Sequence, residues 1–325
     1  MSAGRLNVIG GHLNTRGCNL VPEKTSASKY RYTLNWNGIL TKDQQQFFED
    51  NGYLVIKKLV PQYEIEMYKK RFEEICMKQV TIPRMTMMRD VSIAKSEFVA
   101  GEQAITKIQD YYMDPVMFSY LHSPRILQYV EAITGPDIMA VHSMLINKPP
   151  DTGKKTSRHP LHQDLHYFIF RPEDRIVASW TAMQKIDRTN GCLVVLPGTH
   201  KGPLKEHQYP KWEGGVNKMY HGIVDYDENA PRVHLVMDEG DTVFFHPLLI
   251  HGSGTNISQG YRKAISGHFA SSECHYIPPE GTTHETLAKE VVGVAKKKFG
   301  DDVEVTFEDI SSIRFQLVQG VRKNL

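Results

Sequence analysis

Apolar positions recur along this chain with two different periods, and the change between them divides it. Ile65, Tyr68, Phe72 and Ile75 are spaced by three and four residues, the stripe of a half-buried helix. That helix is expected to open at Pro61, a tolerated first-turn position, and to reach about Lys78. Upstream, Thr41-Lys42-Asp43-Gln44 has the spacing of a capping box, predicting a helix that ends at Asn51-Gly52. Tyr53-Leu54-Val55-Ile56 reads as a short buried strand, so the folded part is expected to begin near residue 38. Residues 80–150 are less regular: a methionine-rich piece (Met85, Met87, Met88), a helix over about 116–133 and a strand over 138–146.

From 140 to 275 the period changes. Short apolar runs at 176–180, 192–196, 233–237 and 242–245 are separated by Gly, Asn, Pro and Asp. Regularly spaced short strands predict a barrel or double-sheet jelly roll. The stretch 200–232 is too long for a turn and is expected to be a lid or substrate loop. Thr282-Thr283-His284-Glu285 has capping-box spacing, before a helix with Leu287, Val291, Val294 and Ala295 on one face. The expected fold class is α+β, mainly β: a double-stranded β-helix (jelly-roll, cupin-like) core with flanking N- and C-terminal helices, one domain over 36–325.

Composition narrows the function classes. Thirty-nine basic against 37 acidic residues give a net charge of +2, too even for a nucleic-acid partner. Cys18, Cys76, Cys192 and Cys274 form no C-x-x-C pair, which argues against a zinc ribbon or disulfide framework. No apolar run approaches the roughly 18 residues of a membrane span, so no stable membrane insertion is expected. Residues 1–35 lack apolar periodicity and read as a disordered presequence. They contain Arg5-Leu6, five residues, then His12-Leu13, which looks like a type-2 peroxisomal targeting signal. The expected location is the peroxisome and the expected partner its import receptor; Cys18 could mark a processing site.

The chemistry centres on His162-Gln163-Asp164. On a strand, residues two apart share a face, so an imidazole and a carboxylate point together and need a third metal ligand from elsewhere. His251, after the apolar run 242–250, can supply it. Two imidazoles and one carboxylate are the facial triad of non-haem Fe(II) oxygenases. Arg262 follows by eleven residues, a fork able to hold a dicarboxylate bidentately. The ordered set resembles the 2-oxoglutarate-dependent oxygenases.

Four stretches, His159 to Phe168, Asn190 to Gly202, Tyr209 to Lys218 and Gly240 to Gly254, resemble the phytanoyl-CoA dioxygenase family. That resemblance implies iron on His162, Asp164 and His251, and the C5 carboxylate of 2-oxoglutarate on Arg262. Lys107, Met144, Trp180 and Ser253 would line the 2-oxoglutarate pocket by the same resemblance. Plain β-core packing explains Met144 and Trp180 equally well. The implied activity is 2-hydroxylation of phytanoyl-CoA and similar branched fatty acyl-CoAs, coupled to oxidative decarboxylation of 2-oxoglutarate to succinate and CO2, in fatty acid α-oxidation. O2 would be the oxidant and ascorbate a reductant. A related oxygenase on another lipid or small molecule, and a non-catalytic cupin-like metal-binding protein, are the alternatives.

Other signals lead elsewhere. His159 and His166 are expected in supporting or core roles, and His246 faces away from His251. Gly153-Lys154-Lys155-Thr156-Ser157 lacks the glycine spacing of a phosphate loop. With Arg158 its cations are either a solvated cluster or contacts for CoA phosphates. Asp225-Tyr226-Asp227-Glu228-Asn229 misses the glycine and glutamate of a calcium loop.

Overall fold

The computed structural model describes residues 29–89, 101–213, 215–300, 302 and 304–325. Its helices are α1 (Lys42–Asn51), α2 (Gln62–Cys76), α3 (Pro115–Phe118), α4 (Pro124–Thr134), α5 (Glu285–Phe299) and α6 (Phe307–Ser312). Its strands are β1 (Tyr53–Ile56), β2 (Thr86–Met88), β3 (Lys107–Gln109), β4 (Ile138–Lys148), β5 (His159–His162), β6 (Phe170–Arg171), β7 (Ile176–Ala182), β8 (Leu193–Val195), β9 (His207–Gln208), β10 (Gly222–Ile223), β11 (Val233–Leu235), β12 (Thr242–Phe245), β13 (His251–Ser253), β14 (Arg262–Ser271), β15 (His275–Tyr276) and β16 (Gln316–Gln319).

Two antiparallel sheets face each other. The large sheet runs β1-β12-β7-β14-β4-β3-β2, with β16 also on β4; the small one runs β11-β8-β13-β5. This is the jelly-roll, cupin-like fold expected, with helices before and after it.

Alternation on the large sheet separates a packing face from a site face. Val177, Ile265, Phe269 and Ile108 point one way and bury themselves with Phe72 of α2 and Ile126 of α4. Gly267 shares that face: a Cβ there would come within 2.5 Å of a Leu121 methyl, so the close approach requires glycine. Ala178, Trp180, Ala264 and Phe245 point the other way and pack with Leu193 and Val195 of the small sheet. The functional site lies between the sheets, on this second face.

Several local expectations are met. Thr41 and Gln44 form the reciprocal capping box of α1, and Gly52 closes it in the left-handed region at φ 77°. The α2 stripe Ile65, Tyr68, Phe72 and Ile75 is buried.

Others are corrected. The single helix over 116–133 is two, because Pro124 has no N–H to continue a helix and instead opens α4. Pro61 stands outside α2, as its N-cap. The strand expected to end at 146 continues to Lys148. Thr282 does not cap α5: its hydroxyl donates to the Pro279 carbonyl and accepts from His284 N–H. Val294 is exposed rather than on the buried face.

The ordered chain also starts earlier than residue 38. Glu49 accepts hydrogen bonds from the backbone of Arg31 and Tyr32 and from the Thr33 hydroxyl, and Leu34 N–H donates to Ala132. The targeting pattern and Cys18 lie outside the described residues. Within them, no helix is long and apolar enough to cross a membrane.

Candidate metal and co-substrate site

His162 ends β5 and His251 opens β13, and the two are direct register partners, so their imidazoles leave the small sheet side by side. Gln163 is still extended (φ −119°, ψ 128°), which keeps Asp164 on the side of His162. Asp164 itself is not on a strand, as expected, but begins a 3-10 turn. Gln163 points away and is fixed there, donating to the Pro203 and Leu248 carbonyls and accepting from Lys205 N–H.

His162, Asp164 and His251 are buried, with one candidate ligand atom from each within 4.8 Å of the others. His162 Nδ1 donates to the Pro160 carbonyl at 2.9 Å, and His251 Nδ1 to the Leu249 carbonyl at 3.0 Å. A carbonyl only accepts, so Nδ1 carries the proton in each ring and Nε2 keeps a lone pair. Those Nε2 atoms lie 3.3 and 3.6 Å from Asp164 Oδ1. Three lone pairs converge with no proton between them, an arrangement that a cation completes.

Protonation states agree. Burial lowers the pKa of His251 to about 4, leaving it neutral at pH 7. Burial opposes ionisation of Asp164, but the imidazoles of His251 and His268 around it and the hydrogen bond from His268 hold its carboxyl well below the usual range. His268 Nε2 donates to Asp164 Oδ2 at 3.0 Å, which turns Oδ1 toward the two ligand imidazoles.

The large sheet supplies the opposite wall. Arg262, Ala264, Ser266 and His268 alternate along β14 onto the site face. Met144 and Trp180 flank Ser266 on the neighbouring strands β4 and β7. Arg262 is buried, and Nη2 donates to the Gly191 carbonyl at 2.9 Å. Its Nε and Nη1 have no partner, an uncommon condition for buried donors. No ion pair is formed with Arg262 among the described residues, and burial lowers its pKa to about 10, still cationic at pH 7. A buried cation with two unused donors fits a carboxylate.

One pocket collects every residue proposed from sequence: His162, Asp164, His251, Arg262, Lys107, Met144, Trp180 and Ser253. Lys107 sits with its ammonium 4.8 Å from the Tyr220 ring centre, and burial lowers its pKa to about 8. Met144 keeps partial exposure into the pocket, whereas Trp180 is also part of the core between the sheets. His159 lines the pocket with its ring 4.2 Å from that of His162. His246 lies elsewhere, Nε2 3.4 Å from Asp174.

Lys148 and His268 are among the pocket residues that the sequence reading passed over. Lys148 is the register partner of Arg262, and its ammonium bonds the Ser157 carbonyl, Ser253 Oγ (2.9 Å) and the Gly254 carbonyl (2.9 Å). A strand extended by two residues past 146 would have placed it on the face of Met144. His268, six residues after Arg262, shares that residue's face by alternation.

The profile of the family described as Phytanoyl-CoA dioxygenase (PhyH) matches residues 48–264. "Phytanoyl-CoA dioxygenase, peroxisomal" of Homo sapiens is 58% identical, covering 100% of this chain and 98% of that protein. "Probable phytanoyl-CoA dioxygenase" of Caenorhabditis elegans is 57% identical over 88% of this chain and 96% of its own. Among solved structures, the epimerase SnoN in complex with Fe3+, alpha ketoglutarate and nogalamycin RO superposes with a TM-score of 0.57 at 16% identity, covering 73% of this chain and 86% of that one. That likeness establishes the fold.

Proposed function

This chain belongs to the phytanoyl-CoA dioxygenase family, and on that premise we propose that His162, Asp164 and His251 hold its iron and that Arg262 holds the far carboxylate of 2-oxoglutarate. It is an Fe(II)- and 2-oxoglutarate-dependent dioxygenase that hydroxylates phytanoyl-CoA and similar branched fatty acyl-CoAs at carbon 2, a step of fatty acid α-oxidation in the peroxisome. The observation that carries the site assignment is the set of unused polar atoms: two imidazole Nε2 atoms and a carboxylate oxygen facing one another, and two unpartnered donors on Arg262.

When bound, Fe(II) and 2-oxoglutarate supply O2 activation, with oxidative decarboxylation of 2-oxoglutarate to succinate and CO2 and transfer of one oxygen atom to the substrate carbon. The protein's residues prepare that chemistry. His268 holds Asp164 by its second oxygen, the Pro160 and Leu249 carbonyls fix the tautomers of His162 and His251, and Arg262 aims its free edge into the pocket. Ser253, Lys107, Met144 and Trp180 line the 2-oxoglutarate pocket in this reading, and the apolar wall of Trp180, Leu193 and Phe245 limits water. Ascorbate serves as the reductant that keeps iron in the ferrous state.

In the same reading the chain to 325 forms one catalytic domain that takes in Arg31–Leu34 as well as residues 36–325, and the segment before it carries the import signal Arg5-Leu6…His12-Leu13 that the type-2 receptor reads. Succinate formation with phytanoyl-CoA, against other acyl-CoAs and free acids, tests the activity. Asp164→Ala should lower both iron binding and succinate formation by more than ~100-fold, beyond the ~10–100-fold cost of losing a ligand's supporting partner. Retained turnover in that variant would remove Asp164 from the ligand set.

A further inference from the structure

The mouth of the pocket is built by two loops whose composition differs from that of the chain. Residues 149–158 reach the pocket through Pro149 and Ser157, and residues 211–213 and 215–220 through Asn217 and Tyr220. Asn217 Nδ2 donates to the Thr156 carbonyl at 3.1 Å and ties one loop to the other. The Lys148 ammonium, bonded to the Ser157 carbonyl, anchors the first loop to the site.

The loops carry Lys154, Lys155, Arg158, Lys211 and Lys218 against Asp151 and Glu213. Their net charge is therefore +3 where the whole chain has only +2. Lys57, Lys69, Arg71, Arg125 and Lys323, by contrast, each lie within 2.8 Å of a carboxylate. Among the described residues none of the five mouth cations has an ion-pair partner. Asp151 turns one oxygen back onto Gly153 N–H, and Gly153 and Lys155 curl the loop through the left-handed region.

Arg158 is the most constrained of the five. Its guanidinium lies 3.5 Å from the centre of the Trp212 ring, and its Nε is buried without a partner. A planar cation stacked on an indole, with an unused donor and four exposed lysines on the same two loops, is a receptor for a molecule that is both aromatic and multiply anionic. A CoA thioester has such an end: its adenosine carries a diphosphate and a 3′-phosphate, while its acyl chain must enter the pocket.

We propose that the two mouth loops bind the nucleotide end of the acyl-CoA, with Trp212 and Arg158 against the adenosine phosphate and Lys154, Lys155 and Lys218 meeting the remaining phosphates. This rests on the reading of the substrate as a CoA thioester. It makes the enzyme's preference for CoA thioesters a property of these loops rather than of the metal pocket.

The test compares phytanoyl-CoA with phytanoyl-pantetheine, which has the same thioester and no nucleotide, in the iron-loaded full chain. Adenosine 3′,5′-bisphosphate serves as a competing probe. In Arg158→Ala, the ratio of kcat/KM for the CoA thioester over the pantetheine thioester should fall about tenfold, the scale of one charge-assisted contact. The inhibition constant of the bisphosphate should rise by a similar factor and weaken further with salt. Lys154→Ala/Lys155→Ala, at exposed positions, should shift both readouts the same way and keeps the test informative if Arg158→Ala folds poorly. Equal losses on both thioesters, or an unchanged ratio, would overturn the proposal. If the unaltered protein accepts both thioesters equally but rejects the free acid, the loops are not the receptor and the thioester reading survives. If it does not oxidise the CoA thioester at all, the substrate reading beneath the proposal fails first.

Discussion

His162 and His166 are four residues apart and both buried, yet they belong to groups that use their nitrogens in opposite ways. In the first group, His162 and His251 each tie Nδ1 to a backbone carbonyl and leave Nε2 facing a carboxylate. In the second, the nitrogens are turned on neighbours. His166 Nε2 pairs with His221 Nδ1 at 2.9 Å, and its ring stacks on His207 at 4.4 Å. His207 accepts from Gln163 N–H and donates to the Lys205 carbonyl; His284 donates to the His166 carbonyl and accepts from Arg171. His221 turns Nε2 toward Glu290. His166 Nδ1 is the one nitrogen of these four rings recorded as buried without a partner. Density of histidine therefore says little; convergent, unused lone pairs identify a ligand set.

Arg262 extends that contrast to a cation, and its removal should give the largest effect. Arg262→Leu takes away the partner of a buried carboxylate, a change on the scale of 2–5 kcal/mol or more. The Kd for 2-oxoglutarate should rise by ~100-fold or more, while iron binding without co-substrate changes little. Because the free protein then no longer buries an unpaired guanidinium, its Tm without ligands should not fall. Calorimetric titration of 2-oxoglutarate and thermal unfolding check both halves; an unchanged Kd would take Arg262 out of the co-substrate pocket.

A smaller effect is expected at His268, which touches the ligand set only through Asp164 Oδ2. His268→Leu should weaken Fe(II) or Mn(II) binding by ~10–100-fold. His268→Gln, which retains an N–H near the same place, should recover part of that loss. Anaerobic metal titration distinguishes this from a general packing defect, since a packing defect would not respond to the restored donor.

The legibility of these features followed their range along the chain. Capping at Thr41, the strand Tyr53–Ile56 and the His162–Asp164 spacing depend on near neighbours, and they were readable. His251 and Arg262 became readable through order and through family resemblance. His268 and Lys148 were missed because their partners lie 104 and 105 residues away, Asp164 and Ser253. Their one local sign is alternation along β14 and β4, which needs strand boundaries that sequence places only within a few residues. The split at Pro124 was a different failure: apolar periodicity ran through a residue whose missing N–H overrides it.

The second histidine group yields the smallest and most graded prediction. Burial first of all, with Arg171 adding to it for His284, lowers His207 and His284 to about 4. Protonating either ring would cost it the bond it accepts, from Gln163 N–H or from Arg171. In the unfolded chain each titrates near 6.5. Between pH 6.5 and 4 the unfolded state therefore binds protons that the folded state refuses. The contribution of these neutral rings is complete above pH 6.5 and is lost as pH falls toward 4. Each can add up to about 1.4 kcal/mol per pH unit to the slope of stability in that window. Urea unfolding of the iron-free protein at pH 7, 6 and 5 should show stability falling as the pH is lowered, and His207→Gln or His284→Gln should each flatten the slope. A slope that is already flat, or that neither variant changes, would mean the rings accept protons without losing their bonds, and the contrast between the two groups would then rest on geometry alone.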